Sequence, residues 1–184
     1  LDSIMAAMKA GVDSIEHGSE LNDEAVAFMK SHGIMLVPTV KVAITAANDT
    51  PKPAGTPGSS SYSLFKAKLL LKSHAASFER ALKAGVTMVA GSDTAYTPGS
   101  TGVFGELVTD VEHGMTPKQA LVSATINGAA LLGLDSTLGR LTPGMEADFI
   151  AVEGDPIADI HAIEKVRMVV FKGRVVTDTT KTAK

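Results

Sequence analysis

Five histidines and no cysteine limit what this 184-residue chain can do with a cation or a proton. Thiolate sites and disulfides are excluded, and any metal must be held by imidazole or carboxylate. His17 and Asp93 are the two residues whose placement gives such chemistry an address. His17 closes the segment Asp13-Ser14-Ile15-Glu16-His17, which reads as a short parallel strand. A structural imidazole there would have to bury both ring nitrogens with partners, and the alternative is a functional group in a cleft. Asp93 closes the apolar run that starts at Val86. His17 lies six residues past Gly11 and Asp93 eight past Gly85, so in regular strands their side chains leave the same side of the sheet. An imidazole and a carboxylate meeting at neighbouring strand ends can share a divalent ion, and the carboxylate can take a proton from an attacking water. The Gly-Ser-Asp-Thr context of Asp93 equally suits a turn or a helix cap, and spacing leaves both readings open.

The remaining histidines have ordinary readings. His32 and His113 each precede a glycine at the end of a predicted helix, where an imidazole caps the last carbonyls. His74, inside a helix, and His161, in a polar turn, read as surface residues.

The elements that would position His17 and Asp93 follow one pattern. Met8-Lys9-Ala10-Gly11-Val12 and Leu82-Lys83-Ala84-Gly85-Val86 each close a helix on glycine and open a strand, and Met29 to Ile34 does the same through Gly33. The strands expected after them are Val12 to His17, Ile34 to Val40 and Val86 to Asp93, short and apolar as in parallel sheets covered by helices. Asn22 caps a helix opened by Asp23 and Glu24, and a long helix is expected from Leu64 to Ala84 with Leu64, Leu71, Phe78 and Leu82 on one face. Thr116-Pro117-Lys118-Gln119 starts another, and its continuation from Ala120 to Leu132 is apolar enough to be buried. The fold class is therefore α/β. Two long loops, Thr45 to Ser63 and Ser92 to Gly105, follow strands directly and lie on the face where parallel α/β proteins bind ligands.

Composition bounds the partners. Hydrophobic residues make up 45% and charged residues 20%, and no apolar run approaches the roughly 18 residues of a membrane span. Seventeen basic against twenty acidic side chains give a net charge of -3, which offers nothing to neutralise phosphates and speaks against nucleic acid and against an anionic membrane surface. The chain opens on Leu1 within a helical pattern, without initiator Met or leader, and reads as a piece of a longer polypeptide whose localisation, cytoplasmic or secreted, stays open.

At these residues the sequence resembles the amidohydrolase superfamily, in particular its imidazolonepropionase-like and prolidase-like metal-dependent hydrolases. Ser14-Ile15-Glu16-His17-Gly18 is similar to the family's sixth barrel strand, Leu36-Val37-Pro38-Thr39 to the seventh, and Ala90-Gly91-Ser92-Asp93 to the eighth. Ala124 to Ala130 resembles the helix after the barrel, and Leu138 to Ile150 the re-entry into a small β-sandwich, completed by Asp155-Pro156 and Met168 to Val176. The resemblance implies the C-terminal part of a TIM-like (β/α)8 barrel over residues 1–137 and part of a composite sandwich over 138–184. It implies His17 and Asp93 as metal ligands, Asp93 as the proton acceptor, and Thr94 and Tyr96 as substrate contacts, Tyr96 otherwise packing its own loop.

The implied cofactor is a divalent metal, zinc foremost, one or two per complete enzyme. The implied substrate is a small cyclic or dipeptide-like amide whose C-N bond is hydrolysed. The family's His-x-His pair, bridging lysine and further histidine have no counterpart here; Lys41 follows the seventh-strand segment and reads as a solvated loop lysine. The expected partner is thus the missing N-terminal half of the barrel. Left without it, inward residues such as Ile15, Leu36 and Val89 would be exposed at about 1.5–3 kcal/mol each, favouring aggregation or homo-oligomers through free strand edges. A catalytically inactive remnant serving association is the alternative; a receiver-like module lacks the cluster of strand-end acids it needs.

Overall fold

The computed structural model describes residues 1–48, 61–93 and 102–180. Helix α1 (Asp2–Lys9) turns at Gly11 into β1 (Ser14–Glu16). Helix α2 (Asp23–His32) starts where the Asn22 side chain accepts the Ala25 N–H, with Asp23 and Glu24 at the positive end of its dipole. Gly33 ends it in the left-handed region, at φ 68°, which directs the chain into β2 (Met35–Val37). β1 and β2 pair in parallel, Ile15 opposite Leu36.

The third strand expected over Val86 to Asp93 is reduced to a single parallel bridge between Met88 and Leu36. The Leu36 N–H donates to Thr87 O and the Val89 N–H to Leu36 O, both at 2.9 Å. On its other edge the segment is met by a helix: the Ala90 N–H donates to Ser123 O at 3.2 Å and the Asn127 side-chain amide to Met88 O at 2.8 Å. Ser123–Asn127 is a π-helical turn between α6 (Pro117–Val122), capped by Thr116 and Gln119, and α7 (Gly128–Leu131). Gly91 is required by close approach, because a Cβ there would lie 2.5 Å from Val37 Cγ1.

Two further elements occupy what the sequence suggested were loops. The chain is helical in α3 (Val40–Asn48) and again from Ser61 in α4 (Ser61–Ala84), so only the stretch 49–60 of the first loop lies outside the described residues. Helix α5 (Gly102–Glu112) begins inside the second, of which 94–101 lies outside them. Gly102 and Gly105 lower the helix propensity of α5, yet burial of Gly105, Leu107 and Val108 outweighs a penalty of about 1 kcal/mol per glycine.

The C-terminal part is one antiparallel sheet of β3 (Phe149–Val152), β4 (Val166–Phe171) and β5 (Arg174–Asp178), with β4 central. Lys172 and Gly173, both at positive φ, make the two-residue turn between β4 and β5. Among the described residues this is a single layer. A 3-10 helix, Ile160–Glu164, lies between β3 and β4; it packs against α5, and its Ile160 and Ile163 join the core formed by Met8, Ile15, Met29, Leu36 and Phe78.

The expectation that Ile15, Leu36 and Val89 stand exposed is not met: they are 7%, 1% and 5% exposed. Ile15 and Leu36 are part of the core shared with residues of the helices, whereas Val89 lies outside that core, beside Val37 and Ala124 in a groove. The most exposed large apolar side chains among the described residues are Phe65, Leu69, Leu132, Leu141 and Val176. No helix among the described residues is long and apolar enough to cross a membrane.

Candidate functional site

Each of the three parallel segments ends in a non-glycine residue held at positive φ: His17 at 64°, Thr39 at 51° and Asp93 at 44°. Side chains avoid this region, at a cost of order 1–3 kcal/mol per residue, and such strain persists only where the surroundings over-determine it. Lys172 is the remaining case among the described residues and belongs to a hairpin turn. The strain therefore gathers at one place, the C-terminal ends of the strands.

His17 is anchored by its own N–H, which donates to Val37 O at 2.9 Å. Its ring is set by Thr39. The Thr39 hydroxyl donates to Pro38 O at 2.7 Å and so spends its proton. The contact between Thr39 Oγ1 and His17 Nδ1, also 2.7 Å, must then be a donation from Nδ1–H. In the neutral ring this leaves the lone pair on Nε2, which faces Asp93 Oδ2 at 3.8 Å, with both side chains more than half exposed. The structure thus brings His17 and Asp93 together. They meet from left-handed residues beyond the strands, so the strand parity that suggested their convergence is not what aims them.

His74, expected on the surface, is buried. Its Nε2–H donates to Pro38 O at 2.7 Å, and its Nδ1 accepts from the Ser19 hydroxyl at 3.0 Å. Burial pushes its pKa below the ordinary histidine value, which keeps it neutral and preserves both bonds. Pro38 O therefore receives two donors, and Ser19, His74, Pro38, Thr39 and His17 form one continuous chain of hydrogen bonds. His74 lies between Leu71 and Phe78 on the face expected to be apolar, the signal that would have found it. His32 and His113 cap their helix ends through Phe28 O and Thr109 O, and His161 stays exposed.

The backbone after Thr39 is clamped from α5. Glu106 is fully buried; its Oε1 accepts the Val40 N–H and its Oε2 the Lys41 N–H, the latter at 3.1 Å. Lys41 is accordingly a first-turn residue of α3 and not a loop lysine. Burial pushes the Glu106 carboxyl up to about 7, against the two N–H donors that favour its charged form. One turn on, Asp110 is also fully buried, neither oxygen has a hydrogen-bond partner, and burial together with the Glu106 charge pushes it up to about 8. At neutral pH the pair shares at least one proton. Nothing in the sequence reading pointed to Glu106 or Asp110.

Thr94 and Tyr96, the expected substrate contacts, lie outside the described residues. Among the described residues no group of three or more histidines and acids gathers as a metal site. A tetrahedral ion with bonds near 2.1 Å sets neighbouring ligands about 3.4 Å apart, so His17 Nε2 and Asp93 Oδ2 at 3.8 Å suit two adjacent positions of one cation.

Comparison with known proteins gives a consistent result. The model of the amidohydrolase family matches residues 2–176. Ochratoxinase of Aspergillus niger is 39% identical over 176 residues, which cover 92% of this chain and 35% of that protein. Imidazolonepropionase of Symbiobacterium thermophilum is 29% identical over 182 residues, covering 95% and 37%. Among solved structures, a Xaa-Pro dipeptidase with bound methionine in the active site superposes with a TM-score of 0.86 at 34% identity, over 96% of this chain and 42% of that one. The chain spans well under half the length of these relatives.

Proposed function

The chain belongs to the amidohydrolase family, whose members generally use divalent metals, and from that premise we propose that the protein it forms hydrolyses C-N bonds in small cyclic or dipeptide-like amides. The observation that carries this reading is the pairing of His17 Nε2 with Asp93 Oδ2 at 3.8 Å, with the imidazole tautomer fixed so that a lone pair faces the carboxylate. His17 and Asp93 would hold a divalent cation, zinc foremost, whose Lewis acidity polarises the scissile carbonyl and acidifies water. The Asp93 carboxylate accepts the proton of the attacking water and delivers it to the departing nitrogen. Thr39 keeps the His17 ring from turning, and Thr94 and Tyr96 contact the substrate.

Two protein ligands fall short of the three or four that a catalytic ion takes. A preceding barrel portion of the same polypeptide would supply the others, as in the longer relatives, making residues 1–137 the end of a (β/α)8 barrel and 138–184 part of a β-sandwich. An apolar groove of about 750 Å3, lined by Val37, Val89, Leu132, Leu138 and Leu141, suits such a covering segment, and association of copies is the other way to cover it. An inactive remnant would have no reason to keep strain at three strand ends and a satisfied hydrogen-bond chain behind His17.

The test is metal analysis and amide hydrolysis by the protein with its preceding portion. Asp93→Ala is expected to lower kcat about 10²- to 10⁴-fold, and His17→Ala to lose bound metal. Full activity in Asp93→Ala would refute the assignment.

A further inference from the structure

Between α3 and α4 a cavity of about 280 Å3 opens beside His17. Val42 and Ala46 of α3 and Ala67, Leu70 and Leu71 of α4 form its walls, with Ser19, Thr39 and His74 at its floor. Whole small-molecule ligands occupy roughly 300–1,000 Å3, so this space suits one part of a substrate.

The chemistry of the lining selects that part. The floor is polar in composition, yet its donors are spent: Ser19 on His74, His74 and Thr39 on Pro38 O, and His17 Nδ1 on Thr39. No Lys, Arg, Asp or Glu lies among the described lining residues. A carboxylate or amide placed here would lose its water and gain no donor, whereas an alkyl or aromatic group would lose nothing and cover Leu70 and Leu71. Location selects the rest. The cavity shares His17 with the pair at 3.8 Å, so its occupant touches the imidazole that would hold the cation.

We infer that this cavity, on the hydrolase reading above, is the subsite for an apolar side chain, leucine- to phenylalanine-sized, on the residue adjoining the scissile C-N bond. Ala46 and Ala67 are small lining residues on different helices, so enlarging either narrows the cavity. Ala46 is exposed, so a larger side chain there narrows the cavity without crowding the core.

The experiment compares glycylglycine, leucylglycine and glycylleucine in the protein with its preceding portion, as wild type, Ala46→Phe and Ala67→Leu. Far-UV circular dichroism and unfolding midpoints establish that the variants fold, and with variants on different helices the misfolding of one leaves the other decisive. At one of the two positions leucine is expected to raise wild-type kcat/KM over glycine by about tenfold to a hundredfold, and either variant to collapse that ratio towards one. No leucine preference at either position, or a preference that survives both variants, would overturn the subsite. If none of the three peptides is hydrolysed, the dipeptide branch of the hydrolase reading fails by itself. The subsite is then judged by calorimetric binding of N-acetyl-leucinamide against N-acetyl-glycinamide: about tenfold tighter binding, lost in the variants, supports it, and equal binding sinks it.

Discussion

Replacing Asp110 by asparagine removes a buried acid whose two oxygens have no partner, and changes its shape hardly at all. Its carboxyl rises from 3.8 to about 8, so between those values the folded chain keeps a proton that the unfolded chain releases. Stability is then fully present below about pH 4 and is lost as pH rises towards 8. Each pH unit in that window is worth about 1.4 kcal/mol, so the penalty at pH 8 exceeds that at pH 5 by on the order of 3–4 kcal/mol. Glu106, raised from 4.5 to about 7, adds a slope of the same sign over a narrower window. Asparagine carries no such proton. Between pH 5 and pH 8, therefore, Asp110→Asn gains on wild type by on the order of 3–4 kcal/mol, while the wild type itself weakens.

Urea unfolding followed by circular dichroism at pH 5, 6, 7 and 8 measures both curves, with the midpoint and slope read separately. Parallel curves for the two proteins, or a wild type as stable at pH 8 as at pH 5, would show that Asp110 is ionised or solvated in the fold and that the buried pair is misread.

Two further outcomes follow from the same region. Glu106→Ala leaves the Val40 and Lys41 N–H groups without acceptors, which costs about 1–3 kcal/mol and should appear as faster hydrogen exchange at those amides; unchanged exchange would mean that water or another group serves them. Thr39→Val removes the acceptor that holds the His17 Nδ1 proton, so the ring nitrogen shifts of metal-free protein should move from one tautomer to a mixture, and metal affinity should fall about 10- to 100-fold; a single unchanged tautomer would refute the role given to Thr39.

How much of this was legible in the sequence differs residue by residue, and for physical reasons. Glycine closing a helix before a short apolar run is a local signal, and it placed α1, α2, β1 and β2 and put His17 and Asp93 at strand ends. Local signals end there. The third segment has strand composition, but its partners are long-range: Leu36 on one edge, through a single bridge, and Ser123 and Asn127 on the other. Helix α5 is hidden by its glycines, and its polar residues Glu106 and Asp110 look like a solvated face until the fold buries them.

The site follows the same rule more strongly. Its ring is set by Thr39, 22 residues from His17; Ser19 meets His74 from 55 residues away, and Val40 meets Glu106 across 66. A non-glycine residue at positive φ leaves no mark in a sequence, because its neighbours in space, and not its own propensity, hold it there. Residue types and spacing can therefore show which side chains could hold a cation. The partners that decide which nitrogen His17 presents come from Thr39 just before α3 and, behind it, from α4 and α5, and only the folded chain brings them together.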